Sequence, residues 1–343
     1  MNRSKIIIPF LAIFVLNLLI LRSIENRFFT RQLIYWAAGG FLAFIIFKLK
    51  FSLSALSSAL LISYIAGIVL LLLPLIFGAL IRGSSRWLFI GEQSFQPAEF
   101  AKFLMAISWA GFLSLGDLSK LSRLLIFFGL FSLPVLMLLG EPNLGTALVF
   151  VFMALVMLFF SRVKKRQIFI ALSMLFAGSL LFGKFFLADY QIRRLESFLH
   201  PQSDPLGGGY NLAQAITAFG SGKFFGRGLG LGSQTRLFFL PEKQTDFIFS
   251  SLGESFGFLG ALILIFFYLY LFLFFLRISF EEKDEFSRIL KTGLVSYLWF
   301  QTFVNMGINL GLLPVTGLPL PFFSYGGSSL ISSFISLGLI MKE

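Results

Sequence analysis

Long apolar runs separated by short polar segments dominate the hydrophobic pattern of this chain. A helix needs about 20 mostly apolar residues to cross a bilayer, and shorter or longer runs are accommodated by tilt or mismatch. Ten candidate runs lie near residues 6–22, 32–48, 52–80, 97–115, 123–140, 144–161, 167–188, 246–276, 288–313 and 322–341. They do not alternate apolar and polar residues as outer-membrane strands do. The pattern therefore predicts an all-α polytopic membrane protein of about ten transmembrane helices.

One polar segment is much longer than the others. It covers residues 189–245, between the seventh and eighth runs, and contains nine of the 32 glycines. Connections longer than about 12–15 residues usually have a function. Within it, residues 210–219 have the amphipathic pattern of a short helix at a membrane interface. We therefore expect one integral membrane domain over residues 1–343, with a long extracytoplasmic loop inserted before the eighth span.

Composition and charge support this class and narrow the chemistry. Apolar residues make up 57% of the 343 residues and charged residues only 13%, which excludes a soluble domain and a disordered chain. The net charge is +12. If the N-terminus is cytoplasmic, short inside segments hold fifteen basic residues and short outside loops hold five. This bias predicts that both termini are cytoplasmic, and it accounts for much of the charge without nucleic acid.

Some kinds of site are excluded or disfavoured by residue type. The chain has no cysteine and one histidine, so disulfides and thiolate catalysis are excluded and zinc is disfavoured. Gly253-Glu254-Ser255-Phe256-Gly257 matches the spacing of a nucleophile elbow, but it begins an apolar helix with no strand before it. We interpret these small residues as positions of close packing.

Ionisable side chains near the predicted outer ends of spans are costly and therefore informative. The first cluster combines Arg86 with Glu99 and Lys102, which are three residues apart and can pair on one helix face. One interpretation is a structural salt bridge at a helix start. The other is a cation that meets phosphate, beside a carboxylate that holds a metal ion or orients the cation.

Two further clusters lie later in the chain. Asp246 directly precedes the apolar residues 247–249. One interpretation is that Thr245 or Asp246 caps a helix there, and the other is that the Asp246 carboxylate acts as a general base. Ser324 and Ser328 flank a pair of glycines before the last span. That segment suits either a tight turn or a broken helix whose N–H groups meet an anion.

These clusters belong to a set of segments that resembles the SEDS family (shape, elongation, division and sporulation), which includes RodA and FtsW. The resemblance covers nearly the whole chain in the same order. It is carried by residues 83–87, 96–102, 142–147, 204–205, 209–210, 220–228, 240–249 and 321–329. Residues 314–321 and the short termini resemble the RodA branch more than the FtsW branch.

The resemblance implies a ten-helix peptidoglycan glycosyltransferase that polymerises lipid II into glycan strands at the outer face of the bacterial cytoplasmic membrane. It also implies a class B penicillin-binding protein as partner. Asp246 matches the family's essential aspartate and is the expected general base. Seven residues are expected to bind the substrate: Arg86, Glu99, Lys102, Arg193, Arg194, Ser324 and Ser328. The basic residues among them would contact the pyrophosphate of the substrate.

Mg²⁺ or another divalent cation is the expected cofactor, because hard cations bind phosphate and carboxylate oxygens, and no organic cofactor is expected. Its candidate ligands are Glu99, Asp246 and Asn143. The family usually has Pro-Asp-Leu-Gly-Thr where this chain has Asn143 after Pro142, so the charge of the aspartate is lost. Whether Glu141, two residues before Asn143, replaces it is left open by the sequence.

Two alternative functions remain from composition alone. A flippase or transporter of lipid-linked precursors also needs charges and broken helices within the membrane, but its site lies near the midplane. The polar clusters of this chain gather at one predicted face, which favours chemistry there. A noncatalytic scaffold of a cell-wall synthesis complex is the third interpretation.

Overall fold

The structure is a computed structural model that describes residues 3–81, 84–91, 93–115, 121–170, 173, 189–200 and 207–342. The described chain is mostly helical, as predicted. Helices α1 to α6 cover Ile7–Ile24, Asn26–Lys48, Leu60–Phe77, Pro97–Ser114, Leu121–Gly140 and Leu144–Phe160. Helices α7 to α12 cover Asp189–Leu199, Gly208–Ser221, Ser233–Arg236, Ile248–Glu281, Glu285–Asn309 and Gly327–Met341. Short 3₁₀ helices cover Arg3–Ile6 and Leu53–Ala59.

Several of these helices have the length and composition of membrane spans. Four qualify on both criteria among the described residues, namely Ile7–Ile24, Asn26–Lys48, Leu53–Phe77 and Ile248–Glu281. Leu124–Gly140, Leu144–Phe160 and Gly327–Met341 are shorter apolar helices. The predicted span 167–188 lies mostly outside the described residues. The count of ten spans, the orientation of the termini and the position of the long loop stay predictions.

A small antiparallel sheet between α3 and α4 was not predicted from the hydrophobic pattern. Its strands are β1 (Ala79–Ile81), β2 (Ser84–Ile90) and β3 (Gln93–Phe95), in the order β1-β2-β3. The prediction of a span up to residue 80 was wrong at that end, because α3 ends at Phe77 and the chain then pairs with β2. The sheet carries Arg86 on β2 and leads directly into the start of α4.

The fold divides into two compact units. Unit 1 comprises Met1–Leu42, Arg193–Phe275 and Leu298–Phe334, and unit 2 comprises Ala43–Ile192, Leu276–Tyr297 and Ile335–Glu343. Asp246 and Ser324 belong to unit 1, whereas Arg86, Glu99 and Lys102 belong to unit 2. Each unit is described by itself below. The assignment of residues 1–343 to one domain stays a prediction.

Helix α4 forms the core of unit 2 and is buried along most of its length. Trp109 is fully buried, and its ring contacts Phe127, Phe131 and Phe150 at centroid distances of 6.2, 5.6 and 5.8 Å. Edge-to-face aromatic pairs at such distances add about 0.5–1.5 kcal/mol each beyond the buried area. The polar start of α4 is therefore anchored by an aromatic cluster about three turns further along the helix.

Unit 1 contains a broken helix. Gly257 interrupts α10 with φ +69°, a left-handed conformation that favours glycine. The glycine-rich segment 222–228 packs against this break so closely that a Cβ atom on Gly226 would overlap the Ser255 carbonyl oxygen. A Cβ atom on Gly257 would likewise overlap the Gly226 amide. The interpretation of Gly253-x-Ser255-x-Gly257 as a close-packing motif is confirmed.

Backbone hydrogen bonds join the break and the glycine-rich segment. Arg227 N donates to Glu254 O at 2.9 Å, and Gly228 N donates to Ser255 O at 3.0 Å. In the other direction, Phe258 N donates to Lys223 O at 2.8 Å. Peptide groups freed by a helix break need partners in an apolar environment. The segment supplies them, so it is part of the span's own hydrogen-bond network.

Helix α8 confirms the helix predicted over residues 210–219 and extends it to Gly208–Ser221. Its buried face consists of Gly209, Leu212, Ala215 and Ala218. Near the end of α8, the Phe219 ring lies so close to Gly253 in the second turn of α10 that a Cβ atom on Gly253 would overlap it. The predicted long loop thus has secondary structure of its own and packs on a span within unit 1.

We predict that Gly257→Ala destabilises the protein strongly. The new methyl group meets the Gly226 amide, and alanine in the left-handed region costs about 1–2 kcal/mol by itself. The measurement is thermal unfolding of the detergent-purified protein. Gly129→Ala is the matched control, because Gly129 lies on α5 and, in the described part of the chain, no atom outside its own helix backbone lies within 4 Å of the new Cβ position. Equal melting temperatures for the two variants would contradict the packing described above.

Candidate functional site

The main chain of Asp246 is held from α11 in unit 1. Its carbonyl oxygen accepts hydrogen bonds from Asn305 Nδ2 at 3.0 Å and from Asn309 Nδ2 at 2.9 Å. Both asparagines are fully buried and lie one helical turn apart. Asn309 Oδ1 also accepts from Ser250 N at 2.8 Å, so the same side chain fixes the first turn of α10.

The second and third predicted clusters lie together in unit 1. Ser324 Oγ donates to Thr245 O at 2.7 Å and accepts from Leu320 N at 2.8 Å. Next to it, Tyr325 N donates to Gln244 O at 2.9 Å. The Ser324 hydroxyl therefore ties the segment before α12 to the segment before α10. Binding of substrate by Ser324 and by Ser328, which is mostly buried in the first turn of α12, stays a prediction.

Two residues near these contacts have unusual backbone conformations. Glu242 has φ +50° and Phe322 has φ +62°, in the left-handed region that non-glycine residues rarely adopt. Such strain costs about 1–3 kcal/mol per residue and persists only where surrounding contacts enforce it. Thr245 Oγ1 donates to Glu242 Oε2 at 2.9 Å and is one such contact. The backbone conformation of Glu242, four residues before Asp246, is thus enforced by its surroundings.

A buried carboxylate connects the glycine-rich region to the same segment. Glu254 on α10 is fully buried and accepts hydrogen bonds from Gln234 N at 2.8 Å and Thr235 N at 3.0 Å. Lys243 Nζ donates to Thr235 O. Burial lowers the pKa of Lys243, against the opposing attraction of Glu25 and Glu254. Residues 233–243 are therefore fastened to α10 just before Asp246.

Glu99 and Lys102 form the predicted pair in unit 2. Lys102 Nζ lies 2.7 Å from Glu99 Oε2, and both side chains are almost completely buried. Glu99 is in the first turn of α4, where the helix dipole stabilises a negative charge. Pro97 is the first residue of the helix, a position that proline commonly occupies. This pairing is confirmed, whereas a role for either residue in substrate binding stays a prediction.

Tyr297 is a partner of Lys102 that the sequence did not reveal. The ammonium of Lys102 lies 5.2 Å from the centroid of the Tyr297 ring, within the range of a cation–π interaction. The Tyr297 hydroxyl is 2.5 Å from Ser336 Oγ on α12, which fixes the ring in turn. Lys102 is thus held between a carboxylate and an aromatic face inside unit 2.

The turn between α5 and α6 contains unpaired polar atoms. Asn143 caps α6, since its Oδ1 accepts from Thr146 N at 3.4 Å, and its Nδ2 has no partner among the described residues. Glu141 is fully buried, and neither carboxylate oxygen has a partner there. Burial raises the pKa of Glu141 to about 8, although attraction by Arg86 opposes the rise. Arg86 Nε is also buried without a hydrogen-bond partner in the described chain.

The proposed metal ligands do not form a ready cage. Asn143 uses its side-chain oxygen as a helix cap, and Glu99 Oε2 is engaged by Lys102. Over the described ranges, no three or more acidic, histidine or cysteine residues come together as a metal site. These residues fit only a cation that takes most of its ligands from substrate and water, as Mg²⁺ usually does.

The two arginines predicted to contact pyrophosphate lie on α7 in unit 1. Arg194 is half-buried, and its carbonyl accepts from Ser197 Oγ at 3.1 Å. The side chain of Arg193 lies outside the part of the chain that the structure describes. Contact between these arginines and substrate stays a prediction.

We predict that Asn309→Leu lowers thermal stability. Leucine has a similar size, but it removes one donor to the Asp246 carbonyl and leaves the buried Ser250 N–H without its acceptor. An unsatisfied buried group costs about 1–3 kcal/mol. The control is Ser250→Ala, which removes only the longer 3.3 Å bond from Ser250 Oγ to Asn309 O. If the control melts as early as Asn309→Leu, the amide does not hold this segment.

We predict that Glu141→Gln stabilises the protein in a pH-dependent way. The folded protein holds the Glu141 proton up to about pH 8, whereas an unfolded chain releases it near the ordinary value of 4.5. Folding stability therefore falls as the pH rises between these values, and glutamine escapes that loss. Melting curves from pH 5 to 9 should show a gain that grows with pH and then levels off. A gain independent of pH, or a loss, would contradict this assignment.

Relatives of this chain are found among cell-wall proteins. The sequence model of the FtsW/RodA/SpoVE family, described as cell cycle proteins, matches residues 4–342. The peptidoglycan glycosyltransferase MrdB of Escherichia coli K12 is 39% identical over 280 residues, covering 81% of this chain and 76% of MrdB. The probable peptidoglycan glycosyltransferase FtsW of Buchnera aphidicola subsp. Schizaphis graminum is 36% identical over 325 residues, covering 92% and 90%.

Solved structures agree with the sequence matches. The rod shape determining protein RodA of Thermus thermophilus has a TM-score of 0.73 and 29% identity, covering 98% of this chain and 95% of RodA. A chain of a peptidoglycan synthase complex that coordinates polymerization and crosslinking has a TM-score of 0.82 and 30% identity, covering 98% and 96%. This chain therefore belongs to the FtsW/RodA/SpoVE family, as its sequence motifs predicted.

Proposed function

We propose that this chain is a peptidoglycan glycosyltransferase that polymerises lipid II into glycan strands at the outer face of the bacterial cytoplasmic membrane. The observation that carries the proposal is the 39% identity to MrdB, a peptidoglycan glycosyltransferase, over 81% of this chain. The family match over residues 4–342 and the apolar helices support it. The apolar helices and the MrdB and FtsW relatives point to a multi-pass protein of the bacterial cytoplasmic membrane.

Asp246 is the general base in this proposal. In glycosyl transfer from a polyprenyl pyrophosphate, an acceptor hydroxyl attacks the anomeric carbon and has to lose its proton. A positioned carboxylate that accepts this proton contributes about 100- to 10,000-fold in rate. The buried amides of Asn305 and Asn309 fix the backbone of Asp246, which limits the positions its carboxylate can adopt. One base assisting one direct attack inverts the anomeric centre.

The departing pyrophosphate gains negative charge, and fixed cations stabilise it best when they are placed beforehand. Lys102 meets this requirement in unit 2, because Glu99 and the Tyr297 ring hold its ammonium in one position. Arg86 is the second residue of unit 2 that we propose to contact the pyrophosphate, and its Nε–H has no hydrogen-bond partner among the described residues. In unit 1, Arg193 and Arg194 on α7 are the further candidates.

A divalent cation such as Mg²⁺ would add charge stabilisation at the pyrophosphate oxygens when bound. Its proposed carboxylate ligand is Asp246 in unit 1 or Glu99 in unit 2. The absence of a cage of three acidic or histidine ligands in the described chain is compatible with Mg²⁺, since phosphate oxygens and water usually complete its shell.

The proposed partner is a class B penicillin-binding protein, which would crosslink the strands that this chain makes. Support comes from the similarity, at a TM-score of 0.82, to a chain of a peptidoglycan synthase complex that combines polymerization with crosslinking. Lipid II and the growing glycan strand are the proposed substrates. Their sugars would lie outside the membrane and their lipid tails against the apolar helix surfaces.

We predict that Asp246→Asn abolishes glycan polymerisation without unfolding the protein. Asparagine keeps the size of the side chain but accepts no proton, so the rate should fall by about 100- to 10,000-fold. The assay incubates purified protein, with and without a penicillin-binding partner, with labelled lipid II in a series of divalent cations. A ladder of polymer from wild-type protein, and none from the variant, is expected.

The control is Glu281→Gln, which removes a half-exposed carboxylate at the other end of α10, whose ion pair among the described residues is with Arg277. It should polymerise like wild type. Near wild-type rates for Asp246→Asn would eliminate the base assignment. Transfer of lipid II across vesicle membranes without polymer would indicate a flippase instead. If neither activity occurs and Asp246→Asn supports normal growth and shape, the chain acts as a scaffold.

A further inference from the structure

A basic segment directly after α6 has no part in the proposed catalytic site. Residues 161–166 read Ser-Arg-Val-Lys-Lys-Arg, with four cations in five positions. The apolar helix α6 ends at Phe160, at the opposite end from Asn143. No acidic residue occurs in the sequence between Glu141 and Asp189. The segment therefore carries a concentrated positive charge at one end of an apolar helix.

The cations of this segment are held at the surface. Val163 and Ile168 are each only 6% exposed, and Gln167 N donates to Lys164 O at 2.8 Å. These contacts fix the backbone, while Lys164, Lys165 and Arg166 are exposed. Among the described residues these three form no ion pair, whereas Arg162 pairs with Glu285 at 2.8 Å. We call Lys164, Lys165 and Arg166 the basic triad.

Orientation in the membrane does not by itself require a cluster with so large an excess of positive charge. The connection between α10 and α11 is also basic in part, with four cations over residues 277–291. It also contains four acidic residues, and pairs form between Arg277 and Glu281 at 2.8 Å and between Lys291 and Glu282 at 2.5 Å. That connection is neutral as a whole, whereas the basic triad has no acidic partner among the described residues.

Apolar side chains flank the basic triad. Phe159 on one side and Phe169 and Ile170 on the other are 52%, 71% and 47% exposed. The ammonium of Lys165 lies 5.8 Å from the centroid of the Phe159 ring. Cations combined with exposed aromatic residues at the end of an apolar helix match the boundary between phospholipid headgroups and acyl chains.

We propose that the basic triad and its flanking apolar residues form a binding site for an anionic phospholipid. The three cations would meet the phosphodiester and its neighbouring oxygens, and Phe159, Phe169 and Ile170 would contact the upper part of the acyl chains. Each basic residue at a membrane surface favours an anionic headgroup by about fivefold, so three give a preference of roughly 100-fold over a zwitterionic lipid. This site is independent of the proposed glycosyltransferase activity.

The test measures lipid binding to the purified full-length protein by native mass spectrometry, with phosphatidylglycerol and phosphatidylcholine of the same chain length. The variant is Lys164→Gln/Lys165→Gln/Arg166→Gln, which should lose most of the preference for phosphatidylglycerol. The matched control, Lys164→Arg/Lys165→Arg/Arg166→Lys, keeps the charges and should keep the preference. Bound phosphatidylglycerol should also decrease as the ionic strength is raised.

Several outcomes would overturn the proposal. These are an unchanged preference in the glutamine variant, a lost preference in the charge-retaining variant, or displacement of the lipid by equimolar inorganic phosphate. The last result would assign the triad to soluble anions. Because the chain has no cysteine, a single introduced cysteine and a membrane-impermeant label show whether the variant is inserted as wild type. Lys165→Gln alone, with an expected loss of about fivefold, replaces the triple variant if that one misinserts.

Discussion

The need to satisfy backbone hydrogen bonds in an apolar environment governs the arrangement of unit 1. A continuous helix meets that need internally. However, α10 is interrupted at Gly257, and residues 237–247, which lead into α10, are not helical. The glycine-rich segment supplies the missing partners at the break, and Asn305, Asn309 and Ser324 supply them around Asp246. The conspicuous glycines and buried amides of the sequence are therefore consequences of one requirement.

The same requirement explains why Asp246 is suited to chemistry. A residue outside regular structure normally has a mobile backbone, because few contacts restrain it. Here two buried amides bind its carbonyl, a serine hydroxyl binds the carbonyl of the preceding residue, and the strained Glu242 limits the path of the chain. Asp246 thus lies in an irregular segment outside a helix. The hydrogen bonds from Asn305, Asn309 and Ser324 reduce the backbone mobility that such a segment would otherwise have.

Local features of the site could be predicted from the sequence, and non-local ones could not. Glu99 and Lys102 are three residues apart on one helix, so their spacing alone indicated the pair that is observed at 2.7 Å. Tyr297 is nearly 200 residues from Lys102, and only the fold brings its ring to the ammonium. The contact between Ser324 and Thr245 depends in the same way on the fold of unit 1. Family motifs identified both ends of that contact but not the bond between them.

The errors in the predicted elements have a physical origin as well. The sheet between α3 and α4 was missed because β1 and β3 have only three residues each, too few to show a period of two. The apolar residues at positions 79–81 continue the composition of α3, so the span seemed longer than it is. The sequence could not decide whether Glu141 replaces the charge lost at Asn143. The features that distinguish Glu141 from a solvated acid are its burial and its lack of partners among the described residues, and neither follows from residue type.

The attachment of the glycine-rich segment to α10 has a mechanical consequence. Segment 222–228 is bonded to the break in α10, and residues 234–235 are bonded to Glu254 on the same helix and to Lys243, three residues before Asp246. Residues 222–243 are therefore restrained against α10 rather than free to move as a loop. A displacement of these residues would strain their bonds to α10 and to Lys243, and through Lys243 it would reach the backbone that carries Asp246.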